Sequence, residues 1–266
     1  MGCRVAVQVS GQPRFIREFK TLIEGLQEYD HIDWFFYLWT STHATDNRIP
    51  PNWRSDDLDW VTNKISKQLL PNQSIAGIKL VAPIEYVPTR EYNITPWTSV
   101  KDWIPMWTGI KEVNRMRQEY EKLHGPYDLV VRARADVGIS HIINCRDTQS
   151  YIDQNPTNII MPYNHRYGLR GSATNDLFAI GNRETMTVYS QVLDYLGEYT
   201  DQGIPFTNET MLAHHLNVNG INYPATNLYH LGRGFGNIGK MPEDSPRWTF
   251  WGERGFDPDW ACWNEE

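Results

Sequence analysis

The first forty residues alternate between a short apolar run, a helical pattern and a second apolar run. Residues 4–9 (RVAVQV) are rich in β-branched side chains and end at SGQPR, which contains Ser, Gly and Pro as turn formers. Apolar side chains then recur at helical spacing from 15 to 26, and a second apolar run, IDWFFYLWT, occupies 32–40. This order predicts a parallel βαβ unit, because parallel strands need a crossover between them.

The same alternation continues along the chain. Further strands are predicted at 78–88, 127–134, 158–163, 176–181 and 221–232. Further helices are predicted at 57–70, 100–125, 183–199 and 208–220, with the second of these interrupted near Pro105 and ended by Gly125. We therefore expect an α/β fold: a single Rossmann-like domain with a mostly parallel central sheet flanked by helices. Residues 1–231 form its body and residues 232–266 a C-terminal wrapping segment.

Charge and cysteine usage exclude some classes of partner. The 266-residue chain has a net charge of −7 and no long run of Lys and Arg, which argues against a nucleic-acid partner. No stretch approaches the roughly 20 apolar residues that a membrane span needs. Cys3, Cys145 and Cys262 are far apart and in no metal-ligand spacing, so we expect reduced thiols in a cytoplasmic protein.

The strand at 127–134 carries charges where a core strand should be apolar. Because side chains alternate along a strand, Arg132, Arg134 and Asp136 are expected on one side and Val131 and Ala133 on the other. Burying such charges without partners is costly, so they either pair or meet a ligand. One interpretation is an internal Arg–Asp pair. The other is a site for an anion or a metal-bound anion, since ligands of parallel sheets bind beyond the carboxyl ends of the strands.

The order of four motifs resembles a known family. A first strand ending in SGQPR, a helix before GPYDLVVRARADV, then NDLFAIG and NETMLAHHL are together similar to GT-A-fold glycosyltransferases. Within that fold the chain resembles the bacterial and viral polysaccharide-synthesis enzymes that include the WavE-type lipopolysaccharide proteins. The resemblance covers roughly residues 4–231, and it depends on the order and spacing of the motifs.

The resemblance implies a nucleotide-sugar donor, a glycan acceptor and a divalent cation, Mn²⁺ or Mg²⁺. The family's Asp-x-Asp element maps onto Arg134-Ala135-Asp136, so the first Asp is replaced by Arg134. Asp136 then holds the metal with a later ligand, for which His230 is the first choice. Alternatively, arginine neutralises the leaving diphosphate without metal. The nucleotide is expected at the SGQPR turn, whose candidate ligands are Ser10, Gly11, Gln12 and Arg14, unless this is a plain strand-to-helix turn.

Two carboxylates are candidates for the chemistry of transfer. Glu209 opens a predicted helix and matches the position of the catalytic base in inverting members of the family. It is also a placement that the helix dipole alone favours. Asp176 is the rival base and the first choice for binding a sugar hydroxyl, or it simply caps the loop before it.

Other residues fit either a site or plain structure. His214 and His215 are adjacent and cannot both reach one metal from a regular helix, so we interpret them as core or surface residues. Loop residues with a candidate role toward donor phosphates or acceptor are His165, Arg166 and Arg170. Tryptophans that either stack on sugar or fill the core are Trp97, Trp103 and Trp107.

Three function classes remain in view at this point. The main hypothesis is a nucleotide-sugar-dependent glycosyltransferase. A nucleotidyltransferase on a similar sheet is an alternative, although that chemistry normally uses two or more clustered carboxylates around metal. A non-catalytic carbohydrate-binding module is the other, and it would bind glycan regardless of nucleotide.

Overall fold

The computed structural model describes residues 3–12, 17–40, 57–82, 88, 92, 100–134, 137–139, 142–162, 174, 176–223, 225–226 and 231–233. The strands in these ranges are β1 (Arg4–Gly11), β2 (His31–Trp39), β3 (Gln73–Val81), β4 (Leu129–Arg134), β5 (Val137–Ile139), β6 (Met161–Pro162), β7 (Phe178–Gly181), β8 (Ala225–Thr226) and β9 (Leu231–Arg233). The helices are α1 (Arg17–Gly25), α2 (Leu58–Ser66), α3 (Val100–His124), α4 (Cys145–Gln154), α5 (Arg183–Tyr189), α6 (Leu196–Asp201) and α7 (Asn208–Val218), with a 3-10 helix at Val192–Tyr195.

The central sheet has five strands in the order β3-β2-β1-β4-β7. The first four are parallel, and β7 runs antiparallel to β4. Two small two-stranded pairs, β5 with β9 and β6 with β8, lie outside it. The predicted α/β fold with a mostly parallel sheet is therefore confirmed. None of the helices in the described ranges is long and apolar enough to cross a membrane.

The alternation of side chains along the strands divides the core into two layers. Odd-numbered residues of β1 and β4, such as Val7 and Val131, pack with α1, α2 and α4 on one face. Even-numbered residues, such as Ala6 and Val130, pack with α3, α5 and α7 on the other. The sheet is thus covered by helices on both faces, which is why its central strands are apolar on both sides.

Helix α3 runs antiparallel to β1 along the whole depth of the second layer. Near its C-terminal end, the Arg4 guanidinium donates to the His124 carbonyl over 2.7 Å. Midway, Gln8 Nε2 donates to Asn114 Oδ1 over 3.1 Å. Near its N-terminal end, a Cβ on Gly109 would stand 3.2 Å from Cβ of Ser10. We call the side where β1 begins the amino edge and the side where β1 ends the carboxyl edge.

Two predicted elements of the first half are corrected. The third strand, Gln73–Val81, begins five residues before the predicted start at 78, because an irregularity opposite Trp34 and Phe35 breaks its alternation. Residues 83–87 of the predicted strand lie outside the described residues. Helix α3 is not interrupted at Pro105. Proline removes one early hydrogen bond there, but Trp103 and Trp107 on either side are buried and keep that turn packed.

The second half departs from the predictions more often. The helix predicted at 183–199 is three pieces, and the first ends at the C-cap Ser190, whose hydroxyl lies within hydrogen-bond distance of the Met186 and Thr187 carbonyls. The strand predicted at 158–163 reduces to β6 with isolated bridges at Asn158 and Ile160. Within the predicted late strand at 221–232, the described residues contain β8 and the first part of β9, while residues 224 and 227–230 are not described. Residues 234–266, most of the expected wrapping segment, lie outside the described residues.

Candidate functional site

The sheet order creates a topological switch point between β1 and β4. From β1 the chain moves outward to β2 and β3, and then returns across α3 to place β4 on the other side of β1. Crevices form at the carboxyl ends of two such strands, because their following segments leave in opposite directions. This is the position in an open α/β sheet where ligands bind.

Predicted site residues from two distant parts of the sequence meet at this point. Ser10 pairs with Arg134, and Gln8 pairs with Arg132, in the parallel register of β1 and β4. Gly11 has a φ of +116°, which favours glycine, and no described atom lies within 4 Å of where its Cβ would stand. The end of β1 therefore lies next to the arginines of β4, and no described residue crowds the Gly11 backbone.

The two arginines differ in their access to a ligand. Arg132 is fully buried, and its Nη1 donates to the Ala133 carbonyl. Arg134 is half-buried at the end of β4, and its backbone N–H donates to the Leu177 carbonyl over 3.0 Å. Arg134 is thus better placed than Arg132 to contact an anion at the carboxyl edge.

The predicted carboxylates Asp176 and Glu209 lie at the junction between the start of β7 and the start of α7. Asp176 is buried just before β7, and its Oδ2 accepts a hydrogen bond from Asn208 Nδ2 at 3.3 Å. Glu209 is half-buried in the first turn of α7, and its carbonyl accepts from Thr174 Oγ1 at 3.0 Å. Thr207 caps this helix. Residues near both predicted carboxylates thus bond across the same junction.

Two buried aromatic side chains at this edge have polar atoms without a described hydrogen-bond partner, a property that was not predicted from the sequence. Trp107 and Tyr189 are fully buried with ring centroids 5.9 Å apart. In the described part of the chain, neither Trp107 Nε1 nor the Tyr189 hydroxyl has a hydrogen-bond partner, and the same holds for Ser10 Oγ and Asn208 Oδ1. A buried polar group in that state costs about 1–3 kcal/mol. No sequence pattern reveals this, because it depends on packing.

His215 has the structural role that was one of the two expected for the adjacent pair His214 and His215. His215 is buried, with Nδ1 2.7 Å from the Tyr199 hydroxyl and Nε2 2.8 Å from the Val188 carbonyl. Nε2 must donate to that carbonyl, so Nδ1 accepts from Tyr199. Burial lowers the pKa of His215, partly offset by the bond to Val188 and reinforced by His214. His215 is a core residue that ties α5 and α6 to α7.

Tryptophans of α3 are core residues in this structure. Trp103 and Trp107 are 2% and 0% exposed, and Trp103 packs on Phe206 with ring centroids 4.6 Å apart. Such buried rings fill the second core layer and offer no exposed face for stacking on a sugar.

The opposite, amino edge holds a polar cluster in which the charges are matched. Asp33 accepts from Tyr127 at 2.7 Å and from Ser74 at 2.7 Å, and Arg4 Nη2 lies 3.2 Å from the same carboxylate. Burial disfavours the charge of Asp33, but the bonds from Ser74 and Tyr127, with His31 and Arg4, hold its pKa below the ordinary value. The Arg4 guanidinium also stacks 4.3 Å from the Tyr127 ring centroid.

A surface groove of about 400 Å³ lies on the C-terminal half of α3. Its lining residues are Arg117, Gln118, Glu121, Arg183, Glu184 and Thr187. The Arg117 guanidinium is bonded to Glu121 at 2.7 Å, Asn114 at 2.8 Å and Thr187 at 2.9 Å. Since its most buried charge is already paired within the protein, the groove is a poorer candidate than the carboxyl edge.

Several predicted site residues lie outside the described residues. They are Arg14, Trp97, Asp136, His165, Arg166, Arg170 and His230. The described ranges contain no group of three or more His, Cys, Asp or Glu side chains that could hold a metal ion. The proposed ligands Asp136 and His230 were not part of that search, so the metal stays a prediction.

Comparison with known proteins adds no family. A scan against protein-family models gives no match, and a search of curated proteins gives none either.

Proposed function

We propose that this chain is a glycosyltransferase that moves a sugar from a nucleotide-sugar donor to a glycan or polysaccharide acceptor. The observation that carries the proposal is the pairing of Ser10 with Arg134 at the switch point of the sheet. Gly11, whose backbone no described residue crowds, follows the residue that pairs with half-buried Arg134, and this combination suits the phosphates and ribose of a nucleotide. The motif resemblance leads to the same reaction class.

The donor diphosphate would be held by charge at the end of β4. Arg134 provides a guanidinium fork for phosphate oxygens, while buried Arg132 adds positive potential beneath it. Gln12 and Arg14 follow Gly11 and are proposed for the nucleotide. Asp136 and His230 would hold a Mn²⁺ or Mg²⁺ ion, whose chemistry is to neutralise the leaving diphosphate.

The transfer step needs one base if configuration inverts. The acceptor hydroxyl oxygen attacks the anomeric carbon, the bond from that carbon to the diphosphate oxygen breaks, and its electron pair leaves with the diphosphate. We assign Glu209 to accept the hydroxyl proton, because it is only half-buried. Asp176 is buried and already bonded to Asn208, so we assign it to bind sugar rather than to exchange protons.

Charge and cysteine content support a proposal for the compartment and the partners of this protein. A net charge of −7 disfavours a nucleic-acid partner. Cys3 and Cys145, the two cysteines in the described part, are free thiols. We therefore propose a cytoplasmic enzyme that acts on small donors and a glycan acceptor.

Nucleotide binding tests the proposal directly. Melting temperatures would be measured with UDP, GDP and CMP, each with Mn²⁺ or with EDTA. We expect one nucleotide to raise the melting temperature, and both Arg134→Ala and Asp136→Ala to weaken its binding by roughly 10- to 100-fold. Arg115→Ala is the matched control, because Arg115 is exposed on α3 and pairs only locally with Glu112 and Glu119. No stabilisation by any nucleotide would reject the proposal.

Turnover tests the assigned base. A screen of nucleotide-sugar hydrolysis with Mg²⁺, Mn²⁺ and EDTA identifies donor and metal requirement together. We expect Glu209→Gln to lower transfer by about 10²–10⁴-fold while donor binding persists. Glu198→Gln, a change at an exposed glutamate of α6, is expected to leave turnover unchanged. Full activity in Glu209→Gln would mean that Glu209 is not the base and that another residue accepts the proton.

A further inference from the structure

Two cysteines that are distant in the sequence meet in the first core layer. Cys3 directly precedes β1, and Cys145 is the first residue of α4. Cys145 belongs to the core layer that contains α1 and α2, and Cys3 packs against that layer. The two thiols are hydrogen-bonded to each other. Cys3 Sγ also donates to Gln149 Oε1 over 3.4 Å, and Gln149 follows Cys145 by one turn on the same face of α4.

The backbone at both cysteines is held in place by hydrogen bonds. The N–H of Cys3 donates to the Asp30 carboxylate over 3.1 Å. Asn144, immediately before Cys145, is the N-cap of α4. The fold therefore keeps the two sulfur atoms in contact. To form an S–S bond of about 2.0 Å from hydrogen-bond contact, they need to approach by only about 1–2 Å.

The two thiols differ in their access to a reagent. Cys3 is half-buried, whereas Cys145 is only 8% exposed, so a small oxidant reaches Cys3 first. Burial raises the pKa of the Cys3 thiol far above its ordinary range, and the neighbouring Cys145, Asp128 and Asp30 raise it further. The thiolate is the reactive form, so oxidation is expected to be slow at neutral pH and to become faster as the pH rises.

We propose that Cys3 and Cys145 are an oxidation site that reacts with a low-molecular-weight disulfide, such as oxidised glutathione, and closes to an intramolecular disulfide. After losing its proton to solvent, Cys3 Sγ attacks one sulfur of the oxidant, whose S–S bond breaks, and one small thiol leaves. Deprotonated Cys145 Sγ then attacks Cys3 Sγ in the mixed disulfide, and the second small thiol leaves. Two protein thiols are oxidised, and one disulfide is reduced to two thiols.

The new bond would fasten the start of β1 to α4. It closes a loop of about 140 residues, which contains β1, β2, β3 and β4, the four parallel strands of the central sheet. A cross-link across so long a loop strongly restricts the unfolded chain, so the oxidised protein should resist unfolding better than the reduced one. Cys3 lies at the amino edge, away from the proposed nucleotide site, and the inference therefore does not depend on the proposed function.

Mass spectrometry and unfolding of the full chain test the inference. The reduced protein would be incubated with oxidised glutathione at mildly alkaline pH, and the remaining thiols would be alkylated in acid before peptide mapping. We expect a peptide pair that links Cys3 to Cys145. In Cys262→Ser, where the third cysteine does not contribute, the chain should become about 2 Da lighter. The urea midpoint should rise by about 1 M and return to its first value after addition of dithiothreitol.

Removing one thiol at a time tests the order of the two steps. In the Cys262→Ser background, Cys145→Ala should stop at the mixed disulfide, with the mass of one glutathione added and no rise in the urea midpoint. Cys3→Ser should stay unmodified, because Cys145 is buried. The wild type, which reacts without any change in the core, is the matched control and should form the same link as Cys262→Ser.

The peptide map of the wild type decides the outcome even if a variant folds poorly. A disulfide that joins Cys262 to either thiol, or one that joins two chains, would overturn the inference. So would a wild-type chain that stops at the mixed disulfide on Cys3, or one whose Cys3 and Cys145 stay reduced under conditions that oxidise the urea-unfolded chain.

Discussion

The two edges of the sheet treat buried polar groups in opposite ways. At the amino edge, Asp33 has its charge matched by Arg4 and its oxygens bonded to Ser74 and Tyr127. At the carboxyl edge, Trp107 and Tyr189 are at least as deeply buried but have polar atoms without a partner in the described residues. The two edges belong to the same core layer and lie at opposite ends of the same helix, α3.

We interpret this difference as one between a stabilising cluster at the amino edge and the proposed binding site at the carboxyl edge. A satisfied buried network stabilises the fold and specifies its packing, whereas unsatisfied groups lower stability and are retained where a ligand uses them. The amino edge therefore fixes the start of β1 to β2 and to the end of α3. The carboxyl edge is the region in which substitutions are expected to affect ligand affinity more than the free energy of unfolding.

The largest expected effect comes from removing the charge at the centre of the amino edge. Asp33→Ala removes the carboxylate that Arg4 Nη2 and the Tyr127 hydroxyl share, although Arg4 keeps its bonds to the His124 and Gly125 carbonyls. We expect the free energy of unfolding to fall by about 3 kcal/mol. Urea unfolding measures it. Asp153→Ala, at an exposed site on α4, is the control and should change it by less than about 0.5 kcal/mol. A loss under 1 kcal/mol in Asp33→Ala would show that this cluster is not stabilising.

The same substitution made at both edges sharpens the contrast. Tyr127→Phe removes the 2.7 Å bond to a carboxylate and should lower the free energy of unfolding by about 2 kcal/mol. Tyr189→Phe removes a hydroxyl that has no described partner, so we expect no loss, or a small gain. Equal losses in the two variants would mean that the Tyr189 hydroxyl is satisfied in solution, and the two edges would then be alike.

Acid titration isolates the ionic part of the amino edge. The folded-state pKa of Asp33 is held below its unfolded value, so the folded state binds this proton less readily than the unfolded state. Its contribution is present above about pH 4 and is lost as the pH falls through the folded pKa. Asp33→Asn should therefore differ most from the wild type at neutral pH and converge with it in acid. Parallel stability curves from pH 7 to pH 3 would contradict this origin.

The smallest expected effect is at the switch point. Ser10→Ala removes a buried hydroxyl that has no partner among the described residues, so unfolding should change by less than about 0.5 kcal/mol. Nucleotide affinity should nevertheless fall, because Ser10 pairs with Arg134 at the proposed nucleotide site. Calorimetry with the nucleotide that stabilises the wild type measures this. If the variant were destabilised and its nucleotide affinity unchanged, Ser10 would have a structural role like that of the amino-edge residues.

Regular patterns predicted the parts of the fold that depend on local sequence. β-branched runs and a helical period were sufficient for β1, α1 and β2, and strand alternation correctly placed Val131 and Ala133 opposite Arg132. The start of β3 was missed because its irregular pairing with β2 interrupts the period. The antiparallel direction of β7 was not predicted either, since direction depends on the path of the chain and not on side-chain spacing.

The candidate site was predicted only in part for a similar reason. Charges in a strand can be read from the sequence, so Arg134 was found, and the sheet order then brought Ser10 to it. Asp176 was named, but its bond to Asn208 depends on how α7 docks against β7. Tyr189 was missed entirely, because a tyrosine in an amphipathic helix indicates burial and carries no information about whether its hydroxyl finds a partner.

The central position of β1 has a consequence for the order in which the chain assembles during translation. β1 can pair with β2 as soon as both have left the ribosome, but its other neighbour, β4, starts only about 120 residues later. At ordinary elongation rates that interval is on the order of 10 seconds. During it, the nascent β1–β2 pair exposes apolar faces and an open backbone edge. We expect the nascent chain to need a chaperone until Arg134 has emerged, and early release to favour aggregation.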